Sequence, residues 1–165
     1  DVLDSRLDDL SGLGNSMLYT VSVAPSFGLN SFFVGGDDAN QSFEPIMTQT
    51  FGNFFVERIS TVRNPADLVV FSTSRAPNGI PGSPGVQTVE GYFRITPPAF
   101  TQPIWDSDFE EDNPASAGNV SFRHGGDAIT VRADGGVTAN TIDDLRDMRL
   151  WCDKANKRDW LLTPR

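Results

Sequence analysis

Residues 119–139 read Asn-Val-Ser-Phe-Arg-His-Gly-Gly-Asp-Ala-Ile-Thr-Val-Arg-Ala-Asp-Gly-Gly-Val-Thr-Ala, three runs of β-forming residues separated by two glycine pairs. Glycine favours the tight turns that join antiparallel strands, because it adopts positive φ at little cost. The stretch therefore predicts an antiparallel meander of three strands, with turns at Gly125-Gly126 and near Asp134-Gly135.

The alternation of apolar residues predicts the register of the first hairpin. A two-residue loop at the first glycine pair places His124 opposite Asp127 and Phe122 opposite Ile129, so that the apolar side chains share one face of the sheet. By the same alternation, the other face carries Ser121, Arg123, Ala128 and Thr130.

The second turn can be assigned by the same criterion. A two-residue loop would pair Val137 with Arg132, on the polar face. A three-residue loop over 134–136 pairs Val137 with Ala133 instead and continues the apolar face without a break. We therefore predict the three-residue loop.

Outside this stretch, short apolar runs alternate with turn residues. Thr141 and Asp144 resemble a capping box, which predicts a short helix through Arg149, after which Trp151 and Trp160 fold back on the domain. The other predicted elements are a helix end within residues 1–10, extended segments over 19–34, a helix over 44–58, a surface loop over 77–85 and a strand that begins at Tyr92. The continuous apolar run over 68–71 predicts a strand that is buried on both faces.

The composition is typical of one globular domain with many turns. The chain has 165 residues, 15 Gly and 11 Pro, which favours a single α+β domain over residues 1–165. We expect an antiparallel sheet that ends in the 119–139 meander, with short helices and long loops. A net charge of −9 without a Lys/Arg cluster argues against nucleic-acid binding, because an acidic surface repels phosphate groups. The single Cys152 excludes an internal disulfide and a multi-cysteine metal site. No apolar run approaches the length of about 20 residues that a helix needs to span a bilayer.

Three motifs resemble one bacterial family. His124, nine further residues and Asp134-Gly135 form a tail similar to that of prepilin-type proteins, which include type IV pilins and type II secretion pseudopilins. Residues 26–30, Ser-Phe-Gly-Leu-Asn, resemble the family's Ser-Tyr-Gly-x-Asn segment, and Asn64-Pro65 precedes a strand as it does in the family. The sequence departs from the family pattern at Gly136, where His is common.

The resemblance implies a structural, non-enzymatic protein without a cofactor. It implies a pilin-like head on the outer side of the inner membrane, anchored there by an apolar N-terminal helix that this chain lacks. The partners would be other pilin or pseudopilin subunits of a pilus or secretion pseudopilus. In this family, His124, Asp134 and Gly135 would be structural residues.

A catalytic reading of His124 and Asp134 requires that the two side chains meet. In the predicted meander, a strand over 127–133 separates their turns by about 23 Å, at about 3.3 Å per residue. We therefore expect His124 to cap one turn and Asp134 to supply the Asx side chain of the other. A metal-assisted hydrolase remains an alternative, and it would need acids and a histidine in one cleft.

Two further features suggest ligands. Residues 106–112 hold five acids in seven positions, so Asp106, Asp108 and Glu110 are candidate calcium ligands, because a hard cation with oxygen ligands would relieve their repulsion. A solvated acidic loop is the simpler interpretation. Three tryptophans suggest a secreted glycan-binding or adhesive β-rich module as another alternative, in which Trp105, Trp151 and Trp160 would stack on sugars.

Overall fold

The computed structural model describes residues 25–76 and 89–165, and within these ranges strands, short helices and long connections alternate. In chain order the elements are β1 (Phe27–Asn30), α1 (Pro45–Phe51), β2 (Val69–Thr73), β3 (Arg75–Ala76), β4 (Val89–Glu90), β5 (Arg94–Ile95), β6 (Ala128–Arg132), β7 (Val137–Asn140) and α2 (Ile142–Leu145). Single 3₁₀ turns lie at Asp38–Asn40, Ile59–Thr61, Pro114–Ala117 and Met148–Leu150.

These strands form a five-stranded sheet and a separate ribbon. The sheet has the order β5-β1-β2-β6-β7, and β3 pairs with β4. The chain therefore has the predicted α+β class. None of the helices in the described ranges has the length and apolar character needed to cross a bilayer.

The sheet is mixed, so the prediction of a purely antiparallel sheet is wrong at one edge. β5 runs parallel to β1, with Leu29 opposite Arg94. No hairpin constrains this pair, because β1 and β5 are far apart in the chain. Gly28 allows β5 to approach closely, since a Cβ at this position would lie 2.9 Å from atoms of Tyr92 and Ile95.

The second hairpin has the predicted loop length but a shifted register. β6 and β7 pair Val131 with Val137, so the three-residue loop covers 133–135, one residue earlier than predicted. Gly135 adopts a φ of 87°, the left-handed conformation that closes a loop of this type. The shift moves cross-strand partners by two residues and therefore leaves every side chain on its predicted face.

The first predicted hairpin is wrong beyond its turn. His124 and Asp127 form the expected bridge, but Val120 pairs with Ser74, and β6 pairs with β2 instead of with residues 120–122. The predicted pairs of Phe122 with Ile129 and of Val120 with Val131 do not form. β2 takes the place of this segment beside β6, with Phe71 opposite Val131 and Ser72 opposite Thr130.

Apolar and polar side chains alternate along β6 and β7 as predicted, but the polar side chains face the core. Asn30 and Thr130 are fully buried, and Asn140 is 6% exposed. These side chains bind one another and the backbone: Asn140 Nδ2 donates to Thr130 Oγ1 at 2.7 Å, and Asn30 Nδ2 donates to the carbonyl oxygens of Val69 and Trp151. Such hydrogen bonds offset the cost of removing polar groups from water.

Aromatic rings fill the core beneath this face. Trp151 is fully buried, as predicted, and its ring meets that of Trp105 edge-on at 5.7 Å. The indole nitrogen of Trp151 donates to the carbonyl oxygen of Leu145 at 2.7 Å. Trp160 packs at the rim of the same cluster against Phe33.

The helices are shorter than predicted. The capping box of Thr141 and Asp144 is present. The helix α2 nevertheless ends at Leu145, because Asp147 caps a separate 3₁₀ turn that includes Arg149. The helix predicted over 44–58 covers only α1 and stops at Gly52, whose φ is 71°.

The remaining predicted elements have mixed outcomes. The strand predicted over 68–71 is β2, and the strand that begins near Tyr92 is β5. Residues 27–30 of the extended segment form β1, while 31–33 turn. The predictions for 1–10, 19–24 and 77–85 lie outside the described residues.

A partly buried ion pair joins the start of the sheet to the loop after β1. Asp37 accepts hydrogen bonds from Ser31 Oγ at 2.5 Å and from Arg94 Nη1 at 2.9 Å, and its side chain is 12% exposed. Burial disfavours the charged carboxylate, but the hydrogen bonds from Ser31, Arg94 and the Ala39 amide outweigh it and hold the pKa of Asp37 below its usual value.

This pair predicts a pH dependence of stability. At neutral pH we expect Asp37→Asn to lower the free energy of unfolding by about 1 kcal/mol. A carboxyl with a lowered folded pKa stabilises the protein above its unfolded pKa of about 3.9 and loses this effect as pH falls through the folded pKa. The difference in the free energy of unfolding between the variant and the parent chain, measured by urea unfolding at several pH values, should therefore shrink below about pH 4.

Asp38→Asn controls for the loss of one negative charge, because Asp38 is an exposed neighbour in the same turn. An equal loss of stability in both variants, or a difference that grows on acidification, would contradict the assignment to the Asp37 ion pair.

Candidate functional site

One row of side chains crosses all five strands of the sheet on the face opposite the core. We call this face the outer face. The register places Arg94, Leu29, Phe71, Val131 and Val137 side by side, one from each strand. Four of the five are apolar, so the row is an apolar band that ends in a cation.

The apolar band is accessible to solvent. Phe71 is 40% and Val137 is 66% exposed, and Leu29 and Val131 are partly exposed. Phe27, two residues before Leu29, adds a further ring that is 40% exposed. Contiguous exposed apolar surface of this kind is typical of a contact surface, whereas isolated exposed apolar residues are common everywhere.

The sequence contained only part of the signal for this surface. The period-two alternation predicts that Ile129, Val131 and Val137 share a face, and the structure confirms it. Sequence periodicity does not show which face turns outward, since that depends on which elements cover the sheet. The contribution of Phe71 is missed because the run over 68–71 predicts a strand buried on both sides.

His124 and Asp134 lie in different turns. His124 is exposed at the turn before β6, where its backbone pairs with Asp127. Asp134 lies after β6, and its Oδ1 accepts a hydrogen bond from the Gly136 amide at 2.8 Å, which is the predicted Asx role. The Asp134 amide in turn donates to the Pro65 carbonyl oxygen at 3.1 Å. The strand between the turns keeps the two side chains at its opposite ends.

The geometry therefore accounts for the motif residues as parts of turns. The hydrolase alternative needs an acid and a histidine in one cleft, and the structure does not bring His124 and Asp134 together. Burial raises the pKa of the Cys152 thiol to about 11, so that at neutral pH this side chain is a buried thiol and a poor nucleophile.

The candidate calcium ligands lie in an exposed loop. Asp106, Asp108 and Glu110 are all exposed, and the Arg146 side chain fixes the start of the loop by donating to the carbonyl oxygens of Asp106 and Ser107 at 3.0 and 2.7 Å. In residues 25–76 and 89–165, no three acidic, cysteine or histidine side chains are grouped as a metal site would need. Calcium binding by this loop stays a prediction.

The three tryptophans do not form a surface for stacking on sugars. Trp151 is fully buried and Trp105 is 8% exposed. Both rings pack in the core, where the Trp105 nitrogen donates to the Thr96 carbonyl oxygen at 2.8 Å. The apolar band on the outer face is thus the candidate functional surface with the clearest geometry.

The sequence matches no protein-family model, no curated protein and no solved structure.

Proposed function

We propose that this chain is the head domain of a non-catalytic structural subunit in a pilin-type envelope assembly. In this proposal an apolar helix upstream anchors each subunit in the inner membrane, and the heads face outward and contact neighbouring subunits. The observation that carries the proposal is the apolar band on the outer face, which lies open in a single chain and is suited to contact with another subunit.

Physical chemistry supports a contact role for this face. Removing apolar surface from water contributes about 25 cal/mol per Å², so covering Phe71, Val131 and Val137 favours association. The band also ends at Arg94, whose pairing with Asp37 sets a polar border at the β5 edge. An apolar centre with a polar border is the usual anatomy of a protein interface.

The motif residues support a structural role as well. Gly28 permits the approach of β5, Asn30 ties β1 to β2 and to Trp151, and Asp134 shapes the β6–β7 loop. These three motif residues thus serve the architecture of the sheet.

A charge placed in the apolar band tests the proposal. In the full-length protein in its native cells, we expect Val137→Glu to leave the head folded and to lower the assembled fraction at least about tenfold, because burying an unpaired carboxylate costs several kcal/mol. The assembled fraction is measured by shearing and sedimentation of the cell envelope, and folding by the thermal melt of the purified head.

Ile46→Glu is the matched control, because Ile46 is 62% exposed on α1, similar to Val137 at 66% on β7. Assembly that is equally sensitive to both substitutions would argue against a specific contact at the band. Mass spectrometry of the native N-terminus supplies an independent test: a subunit with no membrane segment before Asp1 would overturn the proposal.

A further inference from the structure

The strand β7 leaves one edge of the sheet open. It stands last in the strand order, so β6 is its only neighbour in the sheet. The opposite edge is protected, because β5 has two residues and the Thr96 amide that follows it donates to the Gly118 carbonyl oxygen at 2.8 Å. Natural sheets usually protect their edges, since an open edge pairs readily with another strand.

The register shows which backbone groups of β7 face away from β6. In an antiparallel pair, hydrogen-bonded positions alternate with positions that make no hydrogen bond. The Arg132 amide donates to the Gly136 carbonyl oxygen at 2.8 Å, so the backbone of Thr138, two residues later, also faces β6. Val137 and Ala139 occupy the alternate positions, and their N–H and C=O groups therefore point outward from the sheet.

These outward groups have no partner in the described part of the chain. Among residues 25–76 and 89–165, no other segment bonds to the backbone of Val137 or Ala139. Residues 137–139 are all exposed. β7 reads Val-Thr-Ala-Asn and pairs with β6 without a bulge, so it has neither a charge nor a proline that would hinder pairing at its edge.

The flanking residues limit how far a partner strand can extend. The next outward positions on either side of these two are 135 and 141. The Gly135 amide already donates to the Arg132 carbonyl oxygen at 2.9 Å, and the Thr141 amide donates to Asp144 Oδ2 at 3.0 Å. The edge thus offers two consecutive outward residues, each with one donor and one acceptor.

β7 itself meets this requirement when it runs antiparallel to a second copy. If the second copy is rotated by half a turn about an axis through Thr138, Val137 of each copy lies opposite Ala139 of the other. Both pairs are then hydrogen-bonded, and every outward N–H and C=O has a partner. A shift of the register by two residues would need the amide of Gly135 or of Thr141, which is already bonded. The edge is therefore self-complementary in one register.

The side chains fit the same arrangement. On the outer face, Val137 of one copy contacts Ala139 of the other, which lies beside Ile129, so apolar surface continues across the contact. On the opposite face the two Thr138 side chains meet at the axis, and a cross-strand pair of threonines is favourable. No charged residue lies within the paired segment.

We propose that β7 pairs antiparallel with β7 of a second copy. The two chains then share one ten-stranded sheet, five strands from each, and their apolar bands lie on the same face of it. The contact uses the same residues of both copies and closes at two. It goes beyond the proposed function and does not depend on it, since it needs neither a membrane helix nor further subunits.

A disulfide at the axis tests the register directly. Opposite residues at a position without hydrogen bonds have Cα atoms about 4.5 Å apart, which suits a disulfide. In the 165-residue chain, we expect Thr138→Cys to give a linked dimer on mild oxidation with diamide, which converts two thiols to one disulfide. Cys152 does not compete, because it is 1% exposed.

Two further cysteine variants serve as controls. Thr48→Cys places the thiol at an exposed position on α1 and measures linking by random collision. In Val137→Cys the two thiols would be diagonal neighbours, with Cα atoms more than about 7 Å apart, too far for a disulfide. We expect Thr138→Cys to link at least about tenfold faster than either control.

Sedimentation velocity tests the contact without a covalent bond. We expect the parent chain to form a dimer below about 1 mM. Ala139→Pro removes an outward N–H and leaves the bonds to β6 in place, and proline is tolerated at such edge positions. Its dimer should dissociate at least about tenfold more readily, while its thermal melt shows that the head is folded.

Thr138→Lys is a second variant that keeps the bonds to β6 and removes no N–H. It places two ammonium groups opposite each other at the axis, which weakens the pair. The net charge changes from −9 to −8, so a general effect of charge would favour association instead. We expect weaker association by about fivefold, whereas Thr48→Lys, with the same change of net charge, should associate at least as well as the parent chain.

Salt should strengthen the contact. The nearest carboxylates are those of Asp134 and Asp143 at the two ends of β7, and Asp143 already accepts a hydrogen bond from Arg158 at 2.5 Å. The acidic heads repel each other, and salt screens this repulsion. We therefore expect a tighter dimer at about 0.5 M salt than at about 0.05 M.

Three results would overturn the proposal: a parent chain that is monomeric at about 1 mM, Thr138→Cys linking no faster than Thr48→Cys, or Val137→Cys linking as fast as Thr138→Cys. A β7 edge that serves a different protein would give the first two. None of these results bears on the proposed function, which is tested by the assembled fraction of the full-length protein and by its native N-terminus. Conversely, a subunit without a membrane segment would overturn the proposed function and leave the pairing results unchanged.

Discussion

The Gly118→Ala variant is expected to lose about 4 kcal/mol of its free energy of unfolding. Gly118 has a φ of 62°, and a Cβ there would overlap the Thr96 carbonyl oxygen and the indole nitrogen of Trp105. These two atoms form a hydrogen bond of 2.8 Å, and the Gly118 carbonyl oxygen accepts from the Thr96 amide at 2.8 Å. The added methyl group must therefore displace Trp105, whose ring packs on Trp151.

Gly125→Ala separates steric overlap from backbone strain. Gly125 has a φ of 71°, similar to that of Gly118, but a Cβ there would have no neighbour within 4 Å. We expect a loss of about 1 kcal/mol for this control, from the left-handed conformation alone. Urea unfolding of both variants gives the comparison, and equal losses would show that the Thr96–Trp105 contact is not the cause.

The Asn30→Asp variant is expected to lose about 3–5 kcal/mol at neutral pH. Asn30 is fully buried, and its amide group donates to the carbonyl oxygens of Val69 at 3.0 Å and of Trp151 at 2.9 Å. A carboxylate has no proton to donate and would face both oxygens with a negative charge. The substitution thus replaces two hydrogen bonds by two repulsive contacts while hardly changing the volume of the side chain.

The loss in this variant should depend on pH in a defined direction. Burial raises the pKa of a carboxyl, so the substituted side chain destabilises the protein above the unfolded pKa of about 3.9, and increasingly so up to its folded pKa. The difference in melting temperature from the parent chain should therefore shrink as pH falls from 7 toward 4. A difference independent of pH would show that the carboxylate is solvated and that the site opens.

Asn140→Asp is the matched control on the same buried face. Asn140 Nδ2 donates to Thr130 Oγ1, and a hydroxyl can rotate and donate to a carboxylate instead. We expect the control to lose about half as much stability as Asn30→Asp, because the Thr130 hydroxyl can turn and donate to the new carboxylate. The carbonyl partners of Asn30 cannot adapt in this way.

The structure also gives a physical meaning to the Ser-Phe-Gly-Leu-Asn segment at 26–30, through Gly28 and Asn30. Gly28 and Asn30 lie on the buried side of β1, where Gly28 admits β5 and Asn30 donates a hydrogen bond to the Trp151 carbonyl oxygen. The sequence shows the motif but not the reason for it, since Tyr92 and Trp151 are distant in the chain.

Features that depend on neighbours in the chain could be predicted. The turns at Gly125-Gly126 and near Asp134-Gly135, the capping box at Thr141 and the alternation along 128–139 depend on φ preferences and on a period of two residues. These are set within a few positions, and the structure confirms each of them. The net charge and the α+β class follow from composition and from the spacing of turn residues.

Features that depend on competition between distant segments could not be predicted. β2 displaces residues 120–122 from β6, and only three-dimensional packing determines which candidate strand lies beside β6. The same packing buries the polar face of β6 and exposes the apolar band, because Asn30 donates to the Trp151 carbonyl oxygen and Thr130 accepts from the Asn140 side-chain amide in the core. A cleft lined by residues 53–58 and 153–154 likewise forms only when the Asp153 carboxylate accepts a hydrogen bond from the backbone amide of Arg63, 90 positions away in the chain.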